Sequence, residues 1–307
     1  MMVPVGRTAT VRVPATSANL GPGFDACGLA LAWYDRLAVT VSDGGVRVEV
    51  TGEGAGDLPG DERHLVVRAV QHGLAQLGAG AAGLHLVAHN TIPHGRGLGS
   101  SAAALVAGLA LGWQLARPQL PVDRAWLVAT AAALEGHPDN VAAAALGGYT
   151  IAWTPEPGTG AAGAARAVSL PVAAGVAALV LVPDETLRTS DARGALPDHV
   201  PHADAARNAG RAALLTHAVT TAPELLPVAT EDRLHQRARA VRMPASYQLV
   251  ERLRADGHAA MISGAGPTVL VLGERSALAP VAESAPGGFR AWVLGVGTGV
   301  ETVQDGS

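Results

Sequence analysis

The residues best suited to chemistry lie in Ile92-Pro93-His94-Gly95-Arg96-Gly97-Leu98-Gly99-Ser100-Ser101-Ala102-Ala103. Glycine at alternate positions lets backbone approach a ligand closely. A helix that opens at the serines would turn unpaired amides and the positive end of its dipole toward an anion. The two hydroxyls add donors, and either offers an oxygen to magnesium. The spacing is Gly-x-Gly-x-Gly, not the dinucleotide Gly-x-Gly-x-x-Gly, and no acidic residue stands about 20 residues on, at Gln114 to Leu120. That argues against a dinucleotide site. Taken alone, the glycines fit a tight turn with a serine N-cap equally well.

Three further segments carry polar groups at constrained turns. In Leu134-Glu135-Gly136-His137-Pro138-Asp139-Asn140, Glu135 ends an alanine-rich apolar helix, where a carboxylate is costly unless it meets a cation or donors. Asp139 and Asn140 there also fit as N-caps of the next helix. Ala18-Asn19-Leu20-Gly21-Pro22-Gly23-Phe24-Asp25 sets two polar side chains around a glycine-proline turn, and Ser263-Gly264-Ala265-Gly266-Pro267-Thr268 joins two strands, where a plain hairpin turn is the alternative.

Composition removes several chemistries. All 22 basic residues among the 307 are arginine, so a Walker-type loop ending in Lys-Ser/Thr, a protein-kinase strand lysine and a pyridoxal Schiff base are excluded. Net charge is −4 and the arginines are scattered, which argues against a nucleic-acid partner. One cysteine, Cys27, allows neither an internal disulfide nor a Cys-x-x-Cys metal knuckle, and a cytoplasmic setting is expected. Residues 1 to 15 lack the continuous apolar stretch of a secretory signal. The longest apolar segment, Ala102 to Leu115, is broken by Gly108, Gly112 and Gln114 and falls short of the roughly 20 residues that cross a bilayer, so no membrane partner is expected. Apolar residues make up 49% and charged residues 16%, which implies a large interior.

Periodicity supplies the elements that must hold these segments. Thr10 to Val13, Arg36 to Val41, Val46 to Val50 and Leu84 to Ile92 read as strands, with Asp43-Gly44-Gly45 as a hairpin signal between the second and third. Leu105, Leu109 and Trp113 share one face of a helix from about Ser101 to Ala116. Helices follow over Asp123 to Glu135, ended by Gly136, and over Asn140 to Leu146, ended by Gly147-Gly148; Tyr149 to Trp153 is a strand. Thr154 to Arg166 is rich in turn formers and is the candidate boundary between domains at 1–153 and 154–307, a long hairpin loop being the alternative. Beyond it lie strands at Ala178 to Val182, His258 to Ile262, Val269 to Leu272 and Phe289 to Leu294, and helices at Ala203 to Val219, Ala245 to Ala255 and Ala277 to Glu283. Strands and helices mix without strict alternation, so the class is α+β.

Taken together, Ser17 to Asp25, Pro93-x-Gly-x-Gly-Leu-Gly-Ser-Ser-Ala-Ala103 and Ser263 to Thr268 resemble the three ordered motifs of the galactokinase, homoserine kinase, mevalonate kinase and phosphomevalonate kinase (GHMP) superfamily, over residues 10 to about 295. The Asn-Leu-Gly-Pro-Gly-Phe-Asp form resembles the homoserine kinase branch; mevalonate kinases carry a lysine that this chain lacks. The resemblance implies an N-terminal ATP-binding domain, similar to the second domain of a ribosomal protein, packed on a ferredoxin-like C-terminal domain. It implies a phosphate loop over Pro93, His94, Gly95, Arg96, Gly97, Leu98, Gly99, Ser100, Ser101, Ala102 and Ala103, with magnesium (Mg2+) held by Ser101 and Glu135. It also implies ATP-dependent phosphorylation of L-homoserine, with a homodimer as the family's habit.

The resemblance further implies that Asn19, Asp25, His137 and Asn140 line the amino-acid pocket. Thr189 and Arg193 of Thr189-Ser190-Asp191-Ala192-Arg193 are expected there too. So is Arg239, five residues before Pro244, with Arg237 and Arg242 as close competitors. Asn140, Asp25 and Glu135 are the candidate catalytic residues. Sister kinases have an aspartate base where Asn140 stands, so a base-free transfer is expected, Asn140 and Asp25 only orienting the hydroxyl. Two departures stand out: Ala238 replaces a usually aromatic residue, and His64 of Arg63-His64-Leu65-Val66 stands where relatives carry asparagine on the adenine side. The rival readings are a related kinase for another hydroxylated metabolite and a nucleotide-binding relative without catalysis.

Overall fold

The computed structural model describes residues 1–156 and 163–303. The N-terminal half opens with strands β1 (Thr8–Ala18), β2 (Cys27–Ser42) and β3 (Gly45–Gly52), helix α1 (Leu65–Gln76) and strand β4 (Gly83–Asn90). Helices α2 (Ser100–Ala116), α3 (Arg124–Glu135) and α4 (Asp139–Leu146) follow, then strands β5 (Tyr149–Trp153) and β6 (Arg166–Leu170). β2 pairs antiparallel with β1 along its length, with β4 over Arg36–Ser42 and with β5 over Cys27–Leu29.

The sheet corrects the hairpin expected at Asp43-Gly44-Gly45. The chain does turn there, but β3 pairs parallel with β4, and β4 lies between β2 and β3. The crossover through α1 makes that parallel ladder.

α2 is the central helix, packed against β1, α1, α3 and α4, and its apolar residues face inward almost all round. Gly108 is required for that closeness, since a Cβ there would run into the Ala69 methyl and the Val66 carbonyl of α1. α3 starts at Asp123, whose carboxylate accepts from the amides of Ala125 and Trp126 at 2.9 and 3.1 Å, and it ends at Gly136 in the left-handed region, φ 93°. α4 has Pro138 at its N-cap, so Asp139 and Asn140 are its first residues and not its caps.

Trp153 pairs with Arg166 across β5 and β6, so the chain between them closes a long hairpin and the first sheet runs across the 153/154 division. Part of that connection, 157–162, lies outside the described residues. The C-terminal half contributes strand β7 (Val176–Pro183), helices α5 (Thr189–Arg193), α6 (His202–Thr220), α7 (Leu226–Ala229), α8 (Gln236–Arg239) and α9 (Pro244–Ala255), strands β8 (Ala259–Ile262) and β9 (Val269–Glu274), helix α10 (Arg275–Glu283) and strand β10 (Phe289–Leu294). The sheet order β10-β7-β9-β8 is antiparallel throughout. In chain order of its own strands this is 4-1-3-2, the ferredoxin-like arrangement. A last strand, β11 (Glu301–Thr302), returns to pair with β1.

β7 reads as an unbroken apolar run because it is covered on both faces. Ala178, Val180 and Val182 join the main core with α2, while Ala177, Leu179 and Leu181 join a second core with α9 and α10. The two sheets are thereby welded together, and the chemistry-bearing loops meet along the seam. Among the described residues, no helix is long and apolar enough to cross a membrane.

Candidate active site

The loop between β4 and α2 has Gly95, Gly97 and Gly99 in the left-handed region, at φ 63°, 74° and 69°. Gly99 admits no side chain, since a Cβ would collide with the Thr16 hydroxyl. It stands at the N-cap of α2, which has neither a side-chain cap nor an acidic residue in its first turn. The first amides of this 17-residue helix are therefore open to an anion. The loop is stapled to the second sheet: the Leu187 amide donates to the Gly95 carbonyl at 2.9 Å, and Ser263 Oγ donates to the Gly97 carbonyl at 2.6 Å. Arg96 spends its guanidinium on the carbonyls of Pro183, Asp184 and His94 at 3.0, 2.9 and 3.2 Å.

One cavity of about 140 Å³ gathers most of the expected residues. Asn19, Asp25, Pro93, Gly95 to Ser101, Glu135, His137, Asn140, Thr189, Arg193 and Arg239 all line it, with Asp139, Leu187, Gly264 and Ala265. His94 instead lines an adjoining cavity of about 340 Å³, while Ala102 and Ala103 are fully buried beneath the loop. Arg237 and Arg242 are exposed and outside the cavity, so packing singles out Arg239.

The Asn19–Asp25 turn is held by positive φ at three non-glycine residues, Asn19, Leu20 and Asp25. Asn19 Nδ2 donates to the Gly264 carbonyl at 2.9 Å and Asn19 Oδ1 accepts the Asp25 amide at 3.0 Å. Asn19 thus shapes the pocket with both ends of its side chain engaged. Asp25 forms a two-point ion pair with Arg193, at 2.7 and 3.1 Å, and hydrogen bonding to Asp25 raises the Arg193 pKa further. Arg193 Nε is buried and unpartnered.

Arg239 differs in kind. It is 1% exposed, and among the described residues no carboxylate lies within 4.0 Å of it. Its donors reach the Ala192 and Gly264 carbonyls and His235 Nδ1, each at 3.3 Å. Burial, and then the neighbouring Arg193, lower its pKa. A buried guanidinium without an ionic partner, beside an open cavity, is suited to an incoming anion. Its Cζ lies 5.3 Å from the Phe24 ring, an aromatic wall supplied by the first motif and not by position 238.

Ser101 Oγ donates to Glu135 Oε2 at 2.9 Å across the mouth between α2 and α3. A hydroxyl and a carboxylate are the oxygen donors magnesium prefers, and substrate phosphates and water usually complete its shell; the residues therefore fit the ion. Asn140 Oδ1 accepts from the Thr16 hydroxyl at 2.8 Å, which leaves its amide nitrogen free to donate. Asp139 is buried and accepts the Asn140 amide at 2.7 Å. His137 Nδ1 lies 3.6 Å from the Asp139 carboxylate, which raises the imidazole pKa.

The adjoining cavity is apolar on one side, with Leu37, Leu58, Pro59, Leu65 and Val66, and it shares Gly95, Ser100 and Ser101 with the glycine loop. His64 lines it as the N-cap of α1, its Nδ1 accepting the Val66 amide at 3.3 Å. The neutral ring then carries its proton on Nε2, which is buried without a partner. Burial keeps His64 neutral by lowering its pKa.

Residues 64–148 match the model of the GHMP kinases N terminal domain and residues 205–289 that of the GHMP kinases C terminal domain. The chain belongs to the GHMP kinase family. This GHMP kinase is 51% identical to a homoserine kinase of Streptomyces avermitilis over 95% of its own length and 94% of the relative's. It is 50% identical to a homoserine kinase of Clavibacter michiganensis over 98% and 96%. Among solved structures, a homoserine kinase from Cytophaga hutchinsonii superposes with a TM-score of 0.82 at 27% identity, covering 96% of this chain and 97% of the other. A mevalonate diphosphate decarboxylase from Staphylococcus aureus, at 16% identity and a TM-score of 0.68, covering 97% and 98%, shares the fold. Family membership makes the chain a phosphotransferase with ATP as co-substrate.

Two residues of this site had no role in the sequence reading. Leu187 docks the glycine loop onto the second sheet, and His235 contacts Arg239. The i, i+4 spacing of His235 and Arg239 was a signal that could have paired them.

Proposed function

We propose that this kinase transfers the γ-phosphoryl group of ATP to the side-chain hydroxyl of L-homoserine, giving O-phospho-L-homoserine and ADP, a step toward threonine. The observation that carries the reading is Arg239, a buried cation without an ionic partner, facing a small cavity that also holds the Asp25–Arg193 pair. An α-amino acid brings one carboxylate and one ammonium. In this reading Arg239 receives the carboxylate and Asp25 the ammonium, with Arg193 bridging the two. A sugar gives a buried arginine nothing to neutralise, and mevalonate brings a carboxylate but no ammonium for Asp25. Homoserine kinases at about half identity over nearly the full chain support the same substrate.

The triphosphate lies on the glycine loop and the amides at the start of α2. Its base occupies the adjoining cavity, where the His64 Nε2 proton meets a ring nitrogen of the purine. Ser101 and Glu135 would hold magnesium, which when bound would neutralise charge on the nucleotide phosphates. Asn140, with its oxygen taken by Thr16, donates from its amide nitrogen to the homoserine hydroxyl oxygen and orients it for in-line attack. A loose phosphoryl transfer needs positioning and charge stabilisation more than early proton removal, so no side chain acts as a full base.

A coupled ADP-release assay across homoserine, serine, mevalonate and galactose tests the substrate. Homoserine should be turned over far faster than the other three. Equal or faster turnover of any other alcohol overturns the assignment.

A further inference from the structure

His235 is fully buried just ahead of α8, and two contacts fix its protonation. Nε2 lies 2.9 Å from the Gly21 carbonyl, which can only accept, so Nε2 carries the proton. Nδ1 lies 3.3 Å from Arg239 Nη1, and a guanidinium can only donate, so Nδ1 presents a lone pair. The ring is therefore the neutral Nε2–H tautomer.

Its surroundings hold it in that plane. The Phe24 ring stacks on it at 5.0 Å and 26°, and the same Phe24 ring lies beneath the Arg239 guanidinium. Asp232 is the acidic group facing Nε2, at 3.6 Å, and its carboxylate is engaged by the amides of Leu234, His235 and Gln236. Gly21, the acceptor, is itself backed by the Thr230 carbonyl with no room for a side chain.

We propose that His235 is a positioning residue for the substrate-binding step. Through one edge it aims the Arg239 guanidinium, and through the other it grips the turn that carries Asp25. The imidazole thereby fixes the distance between the carboxylate-binding and ammonium-binding groups, which selects an amino acid in which those two charges share one carbon. The other two contacts of Arg239, to the Ala192 and Gly264 carbonyls, have the same 3.3 Å length, so His235 is one of three anchors and the side-chain member among them. The proposal rests on the homoserine reading given above.

Two substitutions separate aiming from packing. His235→Asn puts an amide oxygen near the place of Nδ1 and can still accept from Arg239. His235→Gln reaches the place of Nε2 and can still donate to Gly21, but it offers Arg239 no acceptor at the Nδ1 position. Losing one hydrogen bond to a charged group should raise the homoserine KM of His235→Gln by about tenfold. The Asn variant gives up only the neutral bond to Gly21 and should rise by a smaller factor, about threefold, and both should keep the ATP KM of wild type. Equal rises in the two variants, a larger rise for Asn, or a change confined to ATP overturns the proposal.

A second measurement uses the unaltered protein, so a variant that fails to fold leaves the idea testable. A long-range proton–nitrogen spectrum, with His235 assigned among the 11 histidines, should read a neutral Nε2–H ring at neutral pH whose Nδ1 resonance moves when homoserine is added. An Nδ1–H ring, an imidazolium, or an Nδ1 resonance indifferent to homoserine refutes it. If wild type does not phosphorylate homoserine, the substrate reading fails, and the tautomer still judges the His235 geometry.

Discussion

Replacing Arg239 by lysine keeps a positive charge and most of the volume but removes the planar fork. The native guanidinium has three 3.3 Å contacts to protein acceptors and no carboxylate within 4.0 Å among the described residues, and in the proposed reading its ionic partner is the substrate carboxylate. Lysine presents one nitrogen where arginine presents several in a fixed plane, so a two-point grip on a carboxylate becomes a one-point grip. One charge-assisted hydrogen bond is worth about 1.5 to 3 kcal/mol, which predicts a rise of roughly 10- to 150-fold in homoserine KM. The assay is coupled ADP release, with homoserine titrated at saturating ATP and then ATP at saturating homoserine, beside a thermal melt. The ATP KM and the melt should barely move. Arg237→Lys and Arg242→Lys, both at exposed positions, should behave as wild type. An unchanged homoserine KM in a folded Arg239→Lys protein, an equal effect on ATP, or a larger effect at Arg242 would refute the reasoning.

Glu135→Gln should lower kcat by about a hundredfold or more, equivalent to about 2.7 kcal/mol in the barrier, with an unchanged melt and with Ser101→Ala less affected; wild-type turnover at ordinary magnesium would remove Glu135 from the metal site. Asn140→Ala should retain measurable turnover, and kcat against pH should lack an ascending limb; a limb present in wild type and abolished in Asp25→Asn or Asp139→Asn, with activity down about a thousandfold, would identify that aspartate as a base. His64 is held neutral by burial, its folded pKa lying below the unfolded value of about 6.5. The unfolded chain therefore binds more protons as pH drops through that value, and stability present above it is lost on acidification. His64→Asn should lose less melting temperature than wild type between pH of about 7.5 and about 5.5, and identical losses would show that His64 is not the group responsible.

Local chemistry made much of this molecule legible. Asp123 and Gly136 announced both ends of α3, and Tyr149 to Trp153 is a strand with the bounds its sequence pattern gives. The turn at Asp43-Gly44-Gly45 was legible too, but a turn signal says only that the chain reverses. Which strand lies alongside was decided by α1, whose crossover brings β4 between β2 and β3. β6, five residues without apolar alternation, and the two-residue β11 give no strand signal of their own, and they pair with the edges of the first sheet. The same limit applied to the arginines. Arg237, Arg239 and Arg242 sit around a four-residue helix and a single 3-10 turn, too short for periodicity to name the buried member. Packing against Phe24, His235 and Gly264 names it.

The absence of lysine has a structural counterpart in how the loop handles charge. Arg96 lies within the glycine loop, yet all of its hydrogen-bonded nitrogens point at carbonyls of residues 94, 183 and 184. It anchors the loop to the end of β7 and contributes its charge to the site from a fixed position, not as a mobile arm reaching for a phosphate. Arg193 is likewise committed to Asp25. The groups left open to a triphosphate are the amides at the start of α2 and the Ser100 and Ser101 hydroxyls, all held in place by the fold, with Glu135 beside them as an oxygen donor suited to a cation. Fixed dipoles need no reorganisation when charge develops on the transferring group. A lysine-free loop of this kind therefore relies on exact backbone geometry, which is why Gly99 has no room for even one methyl group beside Thr16.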